Sequence, residues 1–290
     1  MFPCRARPFT GLMTENTRNE TVLVTGASGK TGRQVAHAAG TAGFDVRAAS
    51  RGGAVRFDWY DSSLWDEALR GADAAYLAYM PDIGAPGADG TIGAFARRAL
   101  ELGVRRLVLL SARGEVQAEP AELALRESGA EWTIVRATWF MQNLSEGLLL
   151  DGMRGGELVF PAGEVPAPFI DTRDIADVVV TALTDASYAG RTLEVTGARL
   201  LSFREAVAEI STAAGREIRY VPVSAKEYGG MLAEFGMPPE EVACMQEIFE
   251  SLLDGHIEHP TDVVQQILGR APRDFTDFAR EHAAQGVWKA

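Results

Sequence analysis

The sequence predicts an α/β protein: a doubly wound parallel sheet, then a smaller and mostly helical C-terminal lobe. Three observations predict it. Strand-like runs alternate with helical patterns from Thr21 to Arg136, the order that builds parallel sheets. The strand candidates are apolar almost throughout, as strands buried on both faces are. A glycine-rich segment, TGASGKTG at Thr25–Gly32, separates the first strand from the first helix.

The length of 290 residues allows one large domain or two small ones, with ample chain to bury a core. Residues 1–20 carry no periodic apolar pattern. Arg5 and Arg7 are not followed by the apolar region of a signal peptide. This segment is expected to be a disordered tail, with Met13 as an alternative start. From Thr21 the order is clear. Thr21–Thr25 (TVLVT) reads as a buried strand, followed by a helix near Thr31–Ala42. Phe44–Ser50 and Val55–Phe57 read as strands two and three. A helix near Ser63–Arg70 precedes strand four, Ala74–Tyr79. Ile92, Phe95, Ala99 and Leu102 mark one face of a helix. Arg106–Ser111 (RLVLLS) is the clearest strand. A helix near Pro120–Ser128 leads to strand six, Trp132–Arg136. Right-handed crossovers between such strands give a doubly wound sheet.

Beyond Thr138 the pattern loosens. A helix is expected near Met141–Asp151, then a Gly/Pro-rich stretch (GGELVFPAGEVPAP), then an Asp-capped helix from Asp174. Strands at Thr192–Val195 and Ile218–Val221 bracket a helix at Phe203–Ala213, and residues 224–285 read as mostly helical. The expected organisation is a tail at 1–20, a nucleotide-binding domain at 21–150, and a smaller substrate lobe at 151–290. Strands of that lobe are expected to return to the main sheet.

Composition excludes several classes. Hydrophobic residues make up 47% and charged ones 23%, ordinary for a soluble globular chain. No run approaches the roughly 18 apolar residues of a membrane helix. The formal charge of −12 repels phosphate backbones, so no nucleic-acid partner is expected. The two cysteines, Cys4 and Cys244, allow neither a metal-type C-x-x-C nor a disulfide framework. A cytoplasmic location is expected, as a monomer or homodimer with a small-molecule substrate.

The glycine turn carries the chemistry. Gly26 permits a tight turn, Gly29 lets the backbone approach a pyrophosphate, and Gly32 lets the helix pack closely on the sheet. The helix N-terminus offers amides and partial positive charge to an anion. Ser28, Lys30 and Thr31 join these glycines as candidate cofactor contacts. The segment is not a Walker A loop, because no glycine stands five residues before Gly29. NAD-binding sheets place a carboxylate at the end of strand two. Here that strand ends Ala49-Ser50-Arg51, with no carboxylate until Asp58. A guanidinium at Arg51 suits a 2′-phosphate, Ser50 offers a hydrogen bond, and Lys30 adds charge from the other side. NADP(H) is therefore the expected cofactor, with Asp58 a candidate contact to the adenine.

These residues resemble the NmrA-like branch of the atypical short-chain dehydrogenase/reductases, including ergot-alkaloid-reductase-type sequences. VTGASGKTG at Val24–Gly32, LVLLS at Leu107–Ser111, TIVRATWFMQNL at Thr133–Leu144 and PFIDTRDIAD at Pro168–Asp177 carry the resemblance. LGRAPRDFTDFAR at Leu268–Arg280 is similar to the family's endings. The resemblance implies an NAD(P)-binding Rossmann domain with a small substrate lobe. It also implies either quinone, imine or iminium reduction, or NADP binding without turnover by a redox sensor.

One departure narrows the chemistry. Ordinary short-chain dehydrogenases use Tyr-x-x-x-Lys, in which Lys lowers the Tyr pKa for proton transfer. The three lysines, Lys30, Lys226 and Lys289, leave no tyrosine with Lys four residues on. Carbonyl reduction by that dyad is excluded. An iminium or a quinone asks less of a proton donor, and positioning supplies most of the catalysis; a cyclic imine, iminium, enone or quinone is the expected substrate class. Ligands in such sheets bind beyond the strand C-termini. Ser111, Asn143 and Tyr79 are accordingly the candidate catalytic residues, and Met80, Trp139 and Phe140 the candidate pocket wall. His256 and His259 lack a third metal ligand, so no metal is expected. Asp171, Arg173 and Asp174 are expected to cap a helix and pair with one another. Met231, Met237 and Met245 are expected in lobe packing, or else at the substrate mouth.

Overall fold

The computed structural model describes residues 20–253 and 258–289; the expected N-terminal tail (but for Glu20), Cys4 and His256 lie outside them. The chain runs β1 (Thr21–Thr25), α1 (Gly32–Thr41), β2 (Asp45–Ser50), β3 (Val55–Arg56), α2 (Trp65–Leu69) and β4 (Ala74–Leu77). Next come α3 (Ala88–Glu101), β5 (Arg106–Ala112), α4 (Glu119–Arg126), β6 (Glu131–Ala137), α5 (Leu150–Gly155), β7 (Glu157–Phe160) and β8 (Pro166–Ala167). The remainder is α6 (Thr172–Thr184), β9 (Arg191–Val195), β10 (Leu201–Ser202), α7 (Phe203–Ala214) and β11 (Arg219–Pro222). Four helices end the chain: α8 (Ala225–Glu234), α9 (Pro239–Leu252), α10 (Val263–Leu268) and α11 (Phe275–Ala284).

Seven strands form one parallel sheet in the order β3-β2-β1-β4-β5-β6-β9. This is the Rossmann order with β9 added beside β6. Alternation along β1 divides the core. Leu23 joins Leu77, Leu107, Phe95 and Trp65 on one face. Val22 and Val24 join Tyr76, Val35, Ile175 and Val179 on the other. Both faces are therefore apolar, which is why these strands read as continuous hydrophobic runs.

A second apolar cluster gathers Phe160, Phe203, Tyr228, Phe249, Phe275, Phe278 and Trp288. Burying each such ring contributes about 1.5–3 kcal/mol. Two small sheets, β7 with β11 and β8 with β10, frame this cluster. The Trp288 indole N–H donates to the Leu144 carbonyl at 2.7 Å and ties the chain end to the residues after β6. Not all late helices join this cluster: Val264 of α10 is buried against the main sheet's second face.

Several elements differ from the sequence reading. The expected helix at Met141–Asp151 is a 3-10 turn at Met141–Leu144, followed separately by α5. Gly147 at φ +77° interrupts it. The strand expected to reach Tyr79 ends at Leu77, and the helix expected from Ile92 starts at Ala88. The helix expected from Asp174 starts at Thr172, with Asp171 as its cap; its carboxylate accepts from the Arg173 amide at 2.8 Å. Asp171 and Arg173 do pair, at 2.7 Å. Burial pushes the Asp171 carboxyl up, but the bonds from Arg173 outweigh it and hold it below the ordinary value. Asp174 does not pair with Arg173, its immediate neighbour, because adjacent helical residues face apart. It accepts instead from the Arg273 amide at 2.7 Å and pairs with Arg270 at 2.8 Å.

Gly32 is a packing glycine. A Cβ there would lie 2.1 Å from the Gly26 carbonyl oxygen and 2.6 Å from its carbon. Both are backbone atoms, so α1 would have to move. Gly32→Ala is expected to lower stability by about 1–3 kcal/mol, read as a lower denaturation midpoint; an unchanged midpoint would show that α1 can retreat freely.

Candidate functional site

A cleft of about 950 Å³ opens at the C-terminal ends of β1, β2, β4, β5 and β6. It lies where the chain runs outward from β1 through β2 to β3 and then crosses back to β4 on the other edge of β1, the switch point at which open α/β sheets bind ligands. Its lining gathers every candidate site residue from the sequence except Gly32, which lies behind the turn.

The glycine turn forms one wall. Gly26 takes φ +62°, and its carbonyl accepts from the Gly29 amide at 2.8 Å. Thr25 Oγ1 donates to the Tyr76 carbonyl and accepts from the Ala78 amide, which fixes β1 against β4. The Tyr76 hydroxyl donates to Thr31 Oγ1 at 3.0 Å. Helix α1 has neither a side-chain cap nor an acidic residue in its first turn. The Arg33 amide turns back to the Gly29 carbonyl at 3.2 Å, and a helix start of this kind can receive an external anion.

At the next loop stand Ser50, the exposed Arg51 and Asp58, whose carboxylate accepts from the Tyr60 amide at 3.1 Å. Lys30 departs from the expected arrangement. Rather than adding charge beside Arg51, its ammonium donates to Asn143 Oδ1 at 2.7 Å. Burial lowers the Lys30 pKa, against the pull of Glu146. Glu146 in turn pairs with Arg33. The turn after β1 is thereby tied to the turn after β6.

Ser111 is buried at the end of β5, and its hydroxyl donates to Glu122 Oε1 at 2.7 Å. Glu122 is 1% exposed and also accepts both Arg136 bonds, at 2.7 and 2.6 Å, and one from Arg126 at 2.8 Å. The Ser111 proton is thus committed, and toward a ligand this side chain presents an acceptor. Gln142 locks the same region: its amide donates to Asp171, and its carbonyl accepts from the Thr172 amide.

Aromatic rings wall the far compartment. Tyr79 leans on Trp59 at 5.3 Å, and Trp139 stacks on Phe249 at 6.1 Å and 23°. Trp139 also packs edge-on against Phe160 and Phe203, so it serves core and cleft together. Met80 is 55% exposed at the rim. Helix α9 closes this compartment with Glu241, Met245, Ile248 and Phe249; Met231 and Met237 lie elsewhere. Of the α9 residues only Met245 was expected at the substrate mouth; sequence reading missed Glu241, Ile248 and Phe249, and also Trp59, Asp82, Arg113 and Glu115. A position next to a strand end signalled the last three. On α9 only Met245 was marked. Among the described residues, no group of side chains has metal-binding geometry, and no helix is long and apolar enough to cross a membrane.

Fold and cleft together define a Rossmann-type α/β protein with a ligand site at the switch point of its sheet. The NmrA-like family model matches residues 18–279, and the chain belongs to that family. It is 34% identical to a (4-alkanoyl-5-oxo-2,5-dihydrofuran-3-yl)methyl phosphate reductase from Streptomyces griseus, over 90% of this chain and 98% of that one. It is 28% identical to agroclavine dehydrogenase from Claviceps fusiformis, over 92% and 98%. Among solved structures it resembles the triphenylmethane reductase of Citrobacter sp. in complex with NADP(H), with a TM-score of 0.72 at 16% identity, covering 92% of this chain and 100% of that one.

Proposed function

We propose that the protein is an NADP(H)-dependent oxidoreductase that delivers hydride to a small, largely apolar electrophile: an imine or iminium, an enone or a quinone. The observation that carries this reading is one cleft holding both an uncapped α1 behind a glycine turn and an aromatic compartment. The cofactor fits the residues present. Gly26 and Gly29 carry no side chain into the cleft, where a pyrophosphate would meet the start of α1, and Arg51 and Ser50 line the same cleft and would meet a 2′-phosphate. Asp58 would meet the adenine. When bound, the nicotinamide supplies the hydride. The protein supplies position, an apolar wall that excludes water, and polar contacts from Ser111, Asn143 and Tyr79.

Residues 21–150 hold the cofactor on this reading, and those of 151–290 that leave the main sheet hold the substrate. The reductase names carried by relatives of this chain support the assignment. A cytoplasmic site of action and a role in secondary metabolism belong to the same proposal. The second reading, a regulatory NADP(H)-binding protein without turnover, is favoured by one observation: the Ser111 hydroxyl donates to Glu122.

Incubation of the purified protein with NADPH and a panel of cyclic imines, enones and quinones tests both. Accelerated NADPH oxidation by one acceptor class is expected. No acceleration, with both redox forms bound, would leave only the regulatory reading. Asn143→Ala or Ser111→Ala is expected to lower turnover about 10–100-fold with little change in NADPH affinity; unchanged kinetics would remove the residue from the site.

A further inference from the structure

Asn143 sits in the turn after β6, and its neighbours hold that turn from several sides. The Gln142 side chain donates to Asp171 at 3.0 Å and accepts from the Thr172 amide at 3.0 Å. The Leu144 carbonyl accepts from the Trp288 indole at 2.7 Å, and Glu146 pairs with Arg33 of α1. The Asn143 amide donates back to the Phe140 carbonyl at 3.0 Å. With the backbone fixed in this way, what remains to be set is the rotation of the Asn143 side chain.

Lys30 sets it. An ammonium donates and cannot accept, so the Asn143 atom that Lys30 Nζ meets at 2.7 Å is the carbonyl oxygen Oδ1. Gly147 leaves the path of the lysine open, since a Cβ there would lie 3.3 Å from Nζ and 3.5 Å from Cε. With Oδ1 turned to Lys30, the other end of the amide, Nδ2, has no acceptor among the described residues. Asn143 lines the cleft, as does Ser111. The Ser111 hydroxyl donates to Glu122, which leaves Asn143 as the donor of these two.

We propose that Lys30 is a positioning residue: it turns the Asn143 amide so that Nδ2 donates into the cleft, to the oxygen on which negative charge gathers as an enone or a quinone takes up hydride. The inference rests on the reading of the cleft as a hydride-transfer site. Hydride brings its electron pair to carbon, the conjugated π pair moves onto oxygen, and water returns a proton there, with oxidation of NADPH to NADP+. An N–H already aimed at that oxygen binds more strongly as its charge grows. An iminium loses its charge at nitrogen and develops no such oxygen, so its reduction does not call on this donor.

The test follows NADPH oxidation by the full chain with an enone, a quinone and a cyclic iminium, beside calorimetric titration with NADPH. Lys30→Met keeps the stem and loses the ammonium. It is expected to lower kcat about tenfold with the enone or the quinone, and less than about threefold with the iminium. NADPH affinity is expected to stay within about threefold. In the Asn143→Ala background the same substitution is expected to change kcat less than about twofold, because the two residues act as one unit. Lys30→Arg, which can still donate to Oδ1, is expected to recover part of the loss. A tenfold or larger fall in NADPH affinity that shrinks as salt rises would assign the ammonium to a phosphate instead and overturn the inference. Additive losses in the double variant, equal losses with all three acceptors, or turnover of the iminium alone overturn it as well, and each leaves the proposed function standing. No turnover with any acceptor removes the proposed function and this inference together.

Discussion

Arg51→Asp is expected to weaken NADPH binding about 100-fold while changing NADH binding less than about threefold, measured by calorimetric titration. Three cations line the described cleft: Lys30, Arg51 and Arg113. Lys30 is held by Asn143, and Arg113 is engaged by Glu194 and His259. Arg51 stands exposed at the end of β2, where the extra phosphate of NADPH is expected. A charge-assisted bond to phosphate contributes about 1.5–3 kcal/mol. Reversing the charge adds repulsion, and 100-fold corresponds to about 2.7 kcal/mol. Because Arg51 is exposed, the NADPH preference should shrink as salt rises. Equal losses for the two nucleotides would refute the 2′-phosphate role, and calorimetry showing no binding of either by the unaltered protein would overturn the proposed function itself.

Glu122→Ala is expected to destabilise the protein by about 3–5 kcal/mol, the cost of breaking a buried ion pair by removing one partner. Glu122 is fully enclosed and accepts bonds from Arg136, Arg126 and Ser111. Its loss leaves the Arg136 guanidinium, itself only 22% exposed, without its bidentate acceptor at the end of β6. Glu122→Gln keeps the shape and loses the charge, so a smaller loss is expected. Urea denaturation followed by circular dichroism measures both; a midpoint shift below that of an ordinary surface substitution would show that solvent replaces the carboxylate. The same cluster fixes Ser111 at the cleft, so the residue that holds the serine proton also holds the ends of β5 and β6 in register.

Much of this arrangement was legible in the residues. Thr21–Thr25 and Leu107–Ser111 lie in β1 and β5 as read, because unbroken aliphatic runs of that length suit only strands buried on both faces. TGASGKTG marked the turn between β1 and α1. The misread elements fail for local reasons. Met141–Asp151 has the apolar content of a helix, yet Gly147 in the left-handed region ends it early. The helix expected from Asp174 starts two residues sooner, at Thr172, because a cap is recognised by the amide it meets, and Asp171 meets that of Arg173.

The charged contacts were not legible. Its position in the glycine turn placed Lys30 near a phosphate, whereas its partner, Asn143, lies 113 positions away. Asp174 meets arginines 96 and 99 positions further along, at Arg270 and Arg273. Glu115 and Asp82 are ordinary loop acids in the sequence, and only the fold buries one of them beside the other.

By itself, then, the sequence determined the alternation of strands and helices, the glycine turn and the absence of a Tyr-x-x-x-Lys dyad. Hydrophobic periodicity and glycine spacing act over a few residues and need no distant partner to be read. Tertiary structure alone decided which way Lys30 reaches, that Ser111 gives its proton to Glu122, and that α9 roofs an acidic, aromatic compartment. Those outcomes depend on which side chains the crossovers bring within hydrogen-bond distance, and on how much water they exclude in doing so.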